Sequence, residues 1–204
     1  MLSERLHFDS SGTVTLRLGL VGPPGAGKST VSDLIRQRCA VEARRFHLLK
    51  LAEPLYEAQE AIYRIAGVEL PSKYSQDGEL LNFLGHHLRK LRPSVLLDNF
   101  NRRLQIIDEE VREERTKALV LCDDVRWSDA EFLRSLEFRI IRIQAPPQLC
   151  LSRRVARADL TLGSASHSTE TNLDQIRCDD VIDNSGSLDA LAAAIERFLG
   201  GAYE

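Results

Sequence analysis

The chain has no excess of charge of either sign and no long hydrophobic run. Among its 204 residues, 27 are Lys or Arg and 30 are Asp or Glu, so the formal net charge is −3. This balance gives no electrostatic basis for binding nucleic acid or an anionic membrane surface. No apolar run reaches the length of a membrane-spanning helix, and the N-terminus has no apolar segment typical of a secretory signal. We therefore predict a cytoplasmic protein with no nucleic-acid and no membrane partner.

Cysteine is also scarce, and its spacing excludes further classes of protein. The four cysteines stand far apart without a C-x-x-C pair, at Cys39, Cys122, Cys150 and Cys178. Such spacing argues against a disulfide framework and against a structural zinc site. We predict reduced thiols, most of them buried.

The most informative segment that is present follows the apolar run 14–21 and reads G-P-P-G-A-G-K-S-T. It fits the pattern G-x-x-x-x-G-K-[ST], and the apolar spacing on either side predicts a strand before it and a helix over 28–39 after it. Glycines in such a loop let backbone N–H groups turn towards a phosphate. We predict that the whole segment binds ATP, through Gly22, Pro23, Pro24, Gly25, Ala26, Gly27, Lys28, Ser29 and Thr30.

Two side chains of this segment suit catalysis and metal binding. Lys28 supplies a mobile positive charge for the outer phosphates, and the Ser29 hydroxyl is a suitable ligand for Mg²⁺. The positive N-terminal end of the following helix would face the same anion. The alternative is a glycine-rich turn between a strand and a helix that binds no ligand. It would not explain why every position of the pattern is occupied.

Further along the chain, short apolar runs alternate with helical segments. This order predicts an α/β P-loop kinase fold, with a parallel sheet of about five strands and helices on both faces. We predict a tail over 1–12 and a single domain over 13–204, with a helical acceptor-binding region at about 51–117 and a short lid at about 153–172. Two details are less regular. Arg17 falls within the first strand, where we expect it at an exposed start, and the inward helix faces are predicted to include Ile62, Ile65 and Leu188.

A phosphate loop alone does not define a reaction, because GTPases, motors, transporters and kinases share it. The chain has no N-K-x-D guanine-reading motif and no L-S-G-G-Q transporter signature, and it is short for a motor. These absences favour a small kinase. Asp123 and Asp124 end a buried strand, where an acid can hold Mg²⁺. Neighbouring residues of an extended chain point to opposite sides, so we expect only one of the two to serve.

Arginines stand where a kinase needs cations. Arg153, Arg154 and Arg157 precede a polar segment, and Arg153 and Arg157 share a helical face. Cations that arrive as the site closes would stabilise the migrating phosphoryl group, so we predict catalytic roles for Arg153 and Arg157. Arg89, on a predicted helix, is a candidate for binding the acceptor's phosphate. Ordinary exposed arginines are the other interpretation for each of them.

Several segments, in the same order, resemble the phage-type deoxynucleoside monophosphate kinases. The similar stretches are K-x-A-x-P-L at 50–55, the helix 80–89 ending in Arg89, D-V-R at 124–126, H-S-T-E at 167–170 and I-x-N-x-G-x-L at 182–188. The resemblance implies an adenylate-kinase-like fold and transfer of the ATP γ-phosphoryl group to a nucleoside monophosphate with Mg²⁺. It also implies that Asp124 rather than Asp123 serves Mg²⁺ and acts in catalysis. The implied substrate-binding residues are Glu53, Arg89, Arg126 and Glu170.

The sequence departs from that family mainly in the acceptor half. Asn82 and His86 stand for a glutamine and a threonine, and a tryptophan expected near 95–97 is missing. We predict a small-molecule nucleotide as the acceptor, and whether it is a standard or a modified one stays open. One alternative is a P-loop kinase of another small phosphorylated metabolite, similar to dephospho-coenzyme A; another is a regulatory module that binds nucleotide without catalysis. The sequence is compatible with a homodimer but does not indicate one.

Overall fold

The computed structural model of the protein describes residues 15–156 and 175–202. Within them lie β1 (Thr15–Val21), α1 (Lys28–Val41), β2 (Arg45–Leu48), α2 (Glu53–Ala66), α3 (Gly78–Leu91), α4 (Val95–Glu114), β3 (Ala118–Cys122), α5 (Ala130–Ser135), β4 (Arg139–Gln144), α6 (Pro147–Ala156), β5 (Asp180–Asp183) and α7 (Leu188–Ala202). A single 3₁₀ turn, Trp127–Asp129, leads into α5. The predicted tail and most of the predicted lid, with Arg157 and Glu170, lie outside the described residues.

The five strands form one parallel sheet in the order β2-β3-β1-β4-β5. β1 lies between β3 and β4, and every residue of β3 is buried. The carboxyl ends of parallel strands meet at one edge of the sheet, where ligands bind in α/β folds. The segments that follow β1, β2 and β3 therefore reach the same edge. The predicted α/β P-loop kinase fold is confirmed.

Helices cover both faces of the sheet and form two hydrophobic clusters with it. On one face, α1 and α7 pack on β1 through Val31, Ile35, Leu191, Ile195 and Leu199. On the other face, α4 and α5 pack on β3 and β4 through Phe100, Leu104 and Leu133. This two-sided burial explains why the central strands read as continuous apolar runs rather than alternating ones. In the described part of the chain, no helix combines the length and the apolar character needed to cross a bilayer.

The predicted inward faces of two helices are partly wrong. Ile62 is 40% exposed and Ile65 87% exposed, because α2 buries only its first two turns, through Glu53, Leu55, Tyr56 and Gln59. Leu188 is exposed as well, since it is the first residue of α7 and precedes the part of the helix that packs on the sheet. Apolar spacing gives the direction of a helix face but not the length over which a neighbour covers it.

The prediction that Arg17 lies at an exposed strand start is also wrong. Its position in β1 lies opposite Val120 of β3, and its side chain is only 16% exposed. The guanidinium donates to both carboxylate oxygens of Asp108 on α4, each at 2.9 Å, and to the carbonyl oxygen of Leu136 at 2.9 Å. A bidentate ion pair of this kind offsets the cost of removing the guanidinium charge from water, so a central strand tolerates the arginine.

Candidate functional site

The phosphate loop links β1 to α1 at the carboxyl edge of the sheet. Gly25 and Gly27 have φ angles of +83° and +100°, in the left-handed region that favours glycine. A Cβ atom on Gly25 would lie 2.2 Å from the carbonyl oxygen of Cys150, and one on Gly27 would lie 2.1 Å from Nδ2 of Asn184. Both positions therefore require glycine. The loop ends in the first turn of α1, whose backbone N–H groups are suited to an anion.

Some side chains of this loop hold it in place, whereas others are accessible to solvent. Lys28 Nζ donates to the carbonyl oxygen of Gly22 at 2.7 Å and lies 3.3 Å from that of Pro23. Ala26 is fully buried, whereas Ser29 and Thr30 are exposed on the first turn of α1. The ammonium group is thus held at the loop, and the Ser29 hydroxyl is accessible to a metal ion.

Two residues from the far end of the chain support the loop. Asn184, which follows β5 and is 5% exposed, donates from Nδ2 to the carbonyl oxygen of Ala26 at 2.7 Å. Arg153 of α6 donates from Nη2 to the carbonyl oxygen of Asn184 at 3.2 Å. Its Nη1 is buried and has no hydrogen-bond partner among the described residues. The structure therefore places Arg153 beside the phosphate loop, with one donor not used by these residues.

Asp123 and Asp124, at the end of β3, make different contacts. Asp123 forms a buried ion pair with Lys50, which follows β2. Asp124 accepts hydrogen bonds from the backbone N–H groups of Leu51 at 3.0 Å and Ala52 at 2.8 Å, and from the Cys122 thiol at 3.2 Å. Each carboxylate oxygen can accept more than one bond. The choice of Asp124 as the Mg²⁺ ligand stays a prediction.

The ion pair at Asp123 keeps Lys50 charged. Burial alone would lower the pKa of Lys50, but the carboxylates of Asp123 and Asp124 outweigh that effect and raise the pKa above its usual value. Sequence reasoning did not assign a role to Lys50, although the K-x-A-x-P-L segment contains it. The long-range partner of such a lysine cannot be read from the segment itself.

Arg89 and Arg126, both predicted to bind the acceptor's phosphate, lie near enough to each other and to Asp129 for their charges to interact. Burial and the like charge of Arg126 lower the pKa of Arg89, which donates to the Gly85 carbonyl oxygen at 3.2 Å. Asp129 is 7% exposed, and burial raises its pKa, partly opposed by a hydrogen bond from Ser128 and by the two arginines. Two arginines whose charges act on one buried acid are suited to bind an anion. Asp129 was missed because a helix-starting acid is common.

Glu53, predicted to lie near the acceptor's sugar or base, has no exposed surface. Its carboxylate forms an ion pair with Lys73, accepts a hydrogen bond from the Tyr74 hydroxyl at 3.1 Å and lies 3.6 Å from Nη1 of Arg103. Its role in acceptor binding stays a prediction, and any such role acts through these neighbours. Lys73 and Tyr74 lie between α2 and α3, and no sequence motif singles them out.

The donor set at this edge fits Mg²⁺ held mainly by phosphate and water oxygens. In the described ranges, no group of three or more His, Cys, Asp or Glu side chains is arranged to hold a metal ion. Mg²⁺ commonly takes one or two protein oxygens and completes its octahedron with phosphate and water. Ser29 and one carboxylate from Asp123 or Asp124 would supply that number.

The four cysteines are free thiols, and burial raises the pKa of Cys39 to about 11.

The chain is similar to a curated protein and to solved structures along almost its whole length. No protein-family model matches it. It is 27% identical over 198 residues to dephospho-CoA kinase of Deinococcus radiodurans, covering 93% of this chain and 94% of that protein. Its fold resembles that of TT1252 from Thermus thermophilus, with a TM-score of 0.52, 21% identity and coverage of 92% and 97%. Its fold also resembles that of a sugar kinase from a Janibacter species, with a TM-score of 0.52 and 17% sequence identity, covering 91% of this chain and 93% of that one.

These similarities support the prediction of a P-loop kinase fold, but they do not support the predicted likeness to deoxynucleoside monophosphate kinases in particular. The relatives share the α/β fold, and two of them are named as kinases, one of dephospho-CoA and one of a sugar; neither name is that of a deoxynucleoside monophosphate kinase. The sheet order and the phosphate loop of this chain are those of the same fold. In its fold and its phosphate loop, the chain is similar to the P-loop small-molecule kinases.

Proposed function

We propose that the protein transfers the γ-phosphoryl group of ATP to a hydroxyl of a dephospho-coenzyme-A-like metabolite. The observation that carries this proposal is similarity to a dephospho-CoA kinase over 93% of the chain, which includes the acceptor half as well as the phosphate loop. A shared phosphate loop alone would match a short region and would say little about the acceptor. The alternative acceptor predicted from the sequence is therefore better supported than a nucleoside monophosphate.

At the donor end, the chain positions phosphate groups and offsets their charge. Backbone N–H groups of the loop and Lys28 would hold the outer phosphates, and Arg153 stands beside the loop with a buried Nη1. Ser29 and an acid after β3 would hold Mg²⁺, which neutralises phosphate charge when bound. ATP supplies the phosphoryl group. These roles of Lys28, Ser29, Asp124 and Arg153 are part of the proposal, as is a role for Arg157 in closing the site.

At the acceptor end, two charged groups lie at the same edge of the sheet. Arg89 and Arg126, whose charges act on each other and on Asp129, would form a cationic site suited to a phosphate or diphosphate of the acceptor. The buried pair of Lys50 and Asp123 lies beside Asp124, whose charge acts on both Lys50 and Asp129. The acceptor would therefore lie between the cationic site and the phosphate loop.

A nucleoside monophosphate is the second candidate acceptor. The observation in its favour is the D-V-R segment, whose Arg126 carries a charge that acts on Arg89; the resemblance to phage-type kinases implies that both arginines bind the acceptor. An ionised phosphate acceptor needs cations and no proton removal, which this pair of arginines would satisfy. A cytoplasmic location remains a prediction from the sequence, which is compatible with a homodimer but does not indicate one.

An acceptor panel tests the proposal. Formation of ADP from ATP and Mg²⁺ is measured with dephospho-coenzyme A, ribo- and deoxyribonucleoside monophosphates and sugars, each with product identified by mass spectrometry. We expect phosphorylated product with dephospho-coenzyme A. Product only with a nucleoside monophosphate would replace the first candidate by the second. ATP binding without any product would favour a regulatory module and contradict the kinase proposal.

Replacing Arg126 by alanine should separate acceptor binding from ATP binding. Loss of a charge-assisted hydrogen bond costs about 1.5–3 kcal/mol, so the KM for the acceptor should rise roughly 10- to 100-fold. The KM for ATP should stay within about twofold, because Arg126 lies after β3 and not at the phosphate loop. Steady-state kinetics with each substrate varied in turn provides the measurement.

Arg102→Ala is the matched control for that variant. Arg102 is an exposed arginine on α4, so its removal changes the net charge equally without touching the cationic site. Equal increases in the two KM values for Arg126→Ala would remove Arg126 from the acceptor site.

A further inference from the structure

A five-residue segment between α2 and α3, residues 73–77, lies across the buried start of α2, and we refer to it as the strap. Gln59 of α2, which has no exposed surface, donates to the Ser75 carbonyl oxygen at 2.7 Å and accepts from the Asp77 N–H at 3.1 Å. Gln76 donates to the Tyr56 hydroxyl at 3.3 Å. A buried amide that bonds the strap in both directions fixes its path, because leaving either group unpaired would be costly.

Tyr74 is the centre of the strap. Its ring packs edge-on against Tyr56, with centroids 5.2 Å apart and planes at 85°. The ammonium groups of Lys50 and Lys73 lie 4.9 Å and 5.5 Å from the centre of the same ring, within the range of cation–π attraction. Tyr74 is nevertheless 37% exposed. The strap thus covers the Lys50–Asp123 pair and leaves part of an aromatic ring open to solvent beside it.

Glu53 joins the strap to the helices beneath it. The carboxylate has no exposed surface, whereas the side chains of Lys73 and Arg103 are 45% and 33% exposed. A buried carboxylate needs cations, and here one comes from the strap and one from α4. The Glu53 carboxylate, which accepts from the Lys73 ammonium group, raises the pKa of Lys73 and keeps this lysine charged. Glu53 therefore holds a partly exposed ammonium group in place without itself being accessible.

The far end of the strap reaches the helix that carries Arg89. Asp77 caps α3, where its side chain accepts from the N–H of Leu80 at 3.2 Å, and the Tyr63 hydroxyl donates to it at 2.9 Å. The strap therefore connects the Lys50–Asp123 pair with the cationic site. A rigid connection between two parts of a binding site determines which acceptors fit both.

We propose that the strap is an acceptor-recognition element: Lys73 and Tyr74 contact an anionic part of the acceptor, and Glu53 is the positioning residue that holds them. This inference rests on the proposed function and names further specificity-determining residues for it. The acceptor class that fits is a metabolite with an anionic group distant from the phosphorylated position, since the cationic site and Lys73 are separate sources of positive charge. Lys73 would then act on KM for the acceptor rather than on ATP.

Kinetics of Lys73→Met and Glu53→Gln test this assignment, using whichever acceptor the wild-type protein phosphorylates. We expect KM for the acceptor to rise about tenfold in each variant, with KM for ATP within about twofold, as for loss of one charge-assisted contact. Lys117→Met, an exposed lysine between α4 and β3, is the control and should change neither constant. Unchanged acceptor KM in Lys73→Met would overturn the inference. Lys73→Met keeps the test decisive if Glu53→Gln does not fold.

Tryptic cleavage of the Lys73–Tyr74 peptide bond gives a second measurement that does not need turnover. An acceptor that contacts the strap should slow cleavage at this bond several-fold, read by mass spectrometry, without protecting the exposed control bond after Lys117. If no compound of the acceptor panel is phosphorylated, the proposed function fails. The strap inference is then decided by this protection alone: slower cleavage with a panel compound supports it, and none with any compound overturns it.

Discussion

Replacing Lys28 by alanine should lower kcat by about two to three orders of magnitude while the protein stays folded. The side chain supplies the mobile cation of the phosphate loop, and removal of one preorganised donor to developing charge typically has an effect of this size. The folded state should persist because Lys28 contacts carbonyl oxygens of the loop and packs in neither hydrophobic cluster. The measurement is single-turnover transfer, with thermal unfolding recorded beside it.

Lys117→Ala is the control for Lys28→Ala. It removes the same charge from an exposed position outside the phosphate loop, so its kcat should match that of the wild type. Substantial turnover in Lys28→Ala would show that the donor phosphates are held elsewhere and would contradict the donor site. A loss of folding in Lys28→Ala would assign this lysine a structural role instead.

The second large effect concerns the buried pair of Lys50 and Asp123. Lys50→Met leaves the Asp123 carboxylate buried without its cation, and removing one member of a buried pair typically costs about 3–5 kcal/mol of unfolding free energy. The double variant Lys50→Met/Asp123→Leu should recover much of that loss, because an apolar replacement of both members removes the unpaired charge. Denaturant unfolding of the two single variants and the double variant forms a complete cycle.

The Lys50–Asp123 pair also predicts how the stability of the protein changes with pH. The folded-state pKa of Lys50 is raised above the ordinary value of 10.5, so the pair stabilises fully below that pH. Its contribution is lost as the pH rises through the higher folded-state pKa. Stability measured between neutral pH and pH 11 should therefore decline only at the alkaline end, and less so in the double variant.

The mutant cycle could also contradict the pairing of Lys50 with Asp123. Additive losses of unfolding free energy in the two single variants, with no recovery in the double variant, would show that the two side chains act independently.

The phosphate loop could be predicted in full because its information is local. A loop that wraps phosphate needs glycine at set positions, and the structure shows why, with no space for a Cβ at Gly25 or Gly27. The order of strands and helices along the chain could be predicted for a similar reason, since alternating apolar runs and helical stripes indicate a parallel sheet covered by helices. Those features depend on neighbouring residues in the chain.

Side-chain partners distant in sequence could not be predicted. Arg17 reads as an anomaly in a central strand until Asp108, 91 residues away, is seen to neutralise it. Asp123 and Asp124 look equivalent in sequence, yet one pairs with Lys50 and the other accepts from the backbone at the start of α2. The pattern also favoured Ile62 and Ile65 as core residues, while the packed part of α2 carries Glu53 and Gln59.

The sequence by itself therefore determined the class of fold and the position of the phosphate loop in this protein, because contiguous residues specify such a loop and its flanking strand and helix. Only the tertiary structure decided which charges meet: Arg89 with Arg126 around Asp129, and Lys73 with Arg103 at Glu53. The physical reason is that the energy of a charge in a folded protein depends on its burial and on its neighbours in space. Neither is encoded in a short stretch of chain.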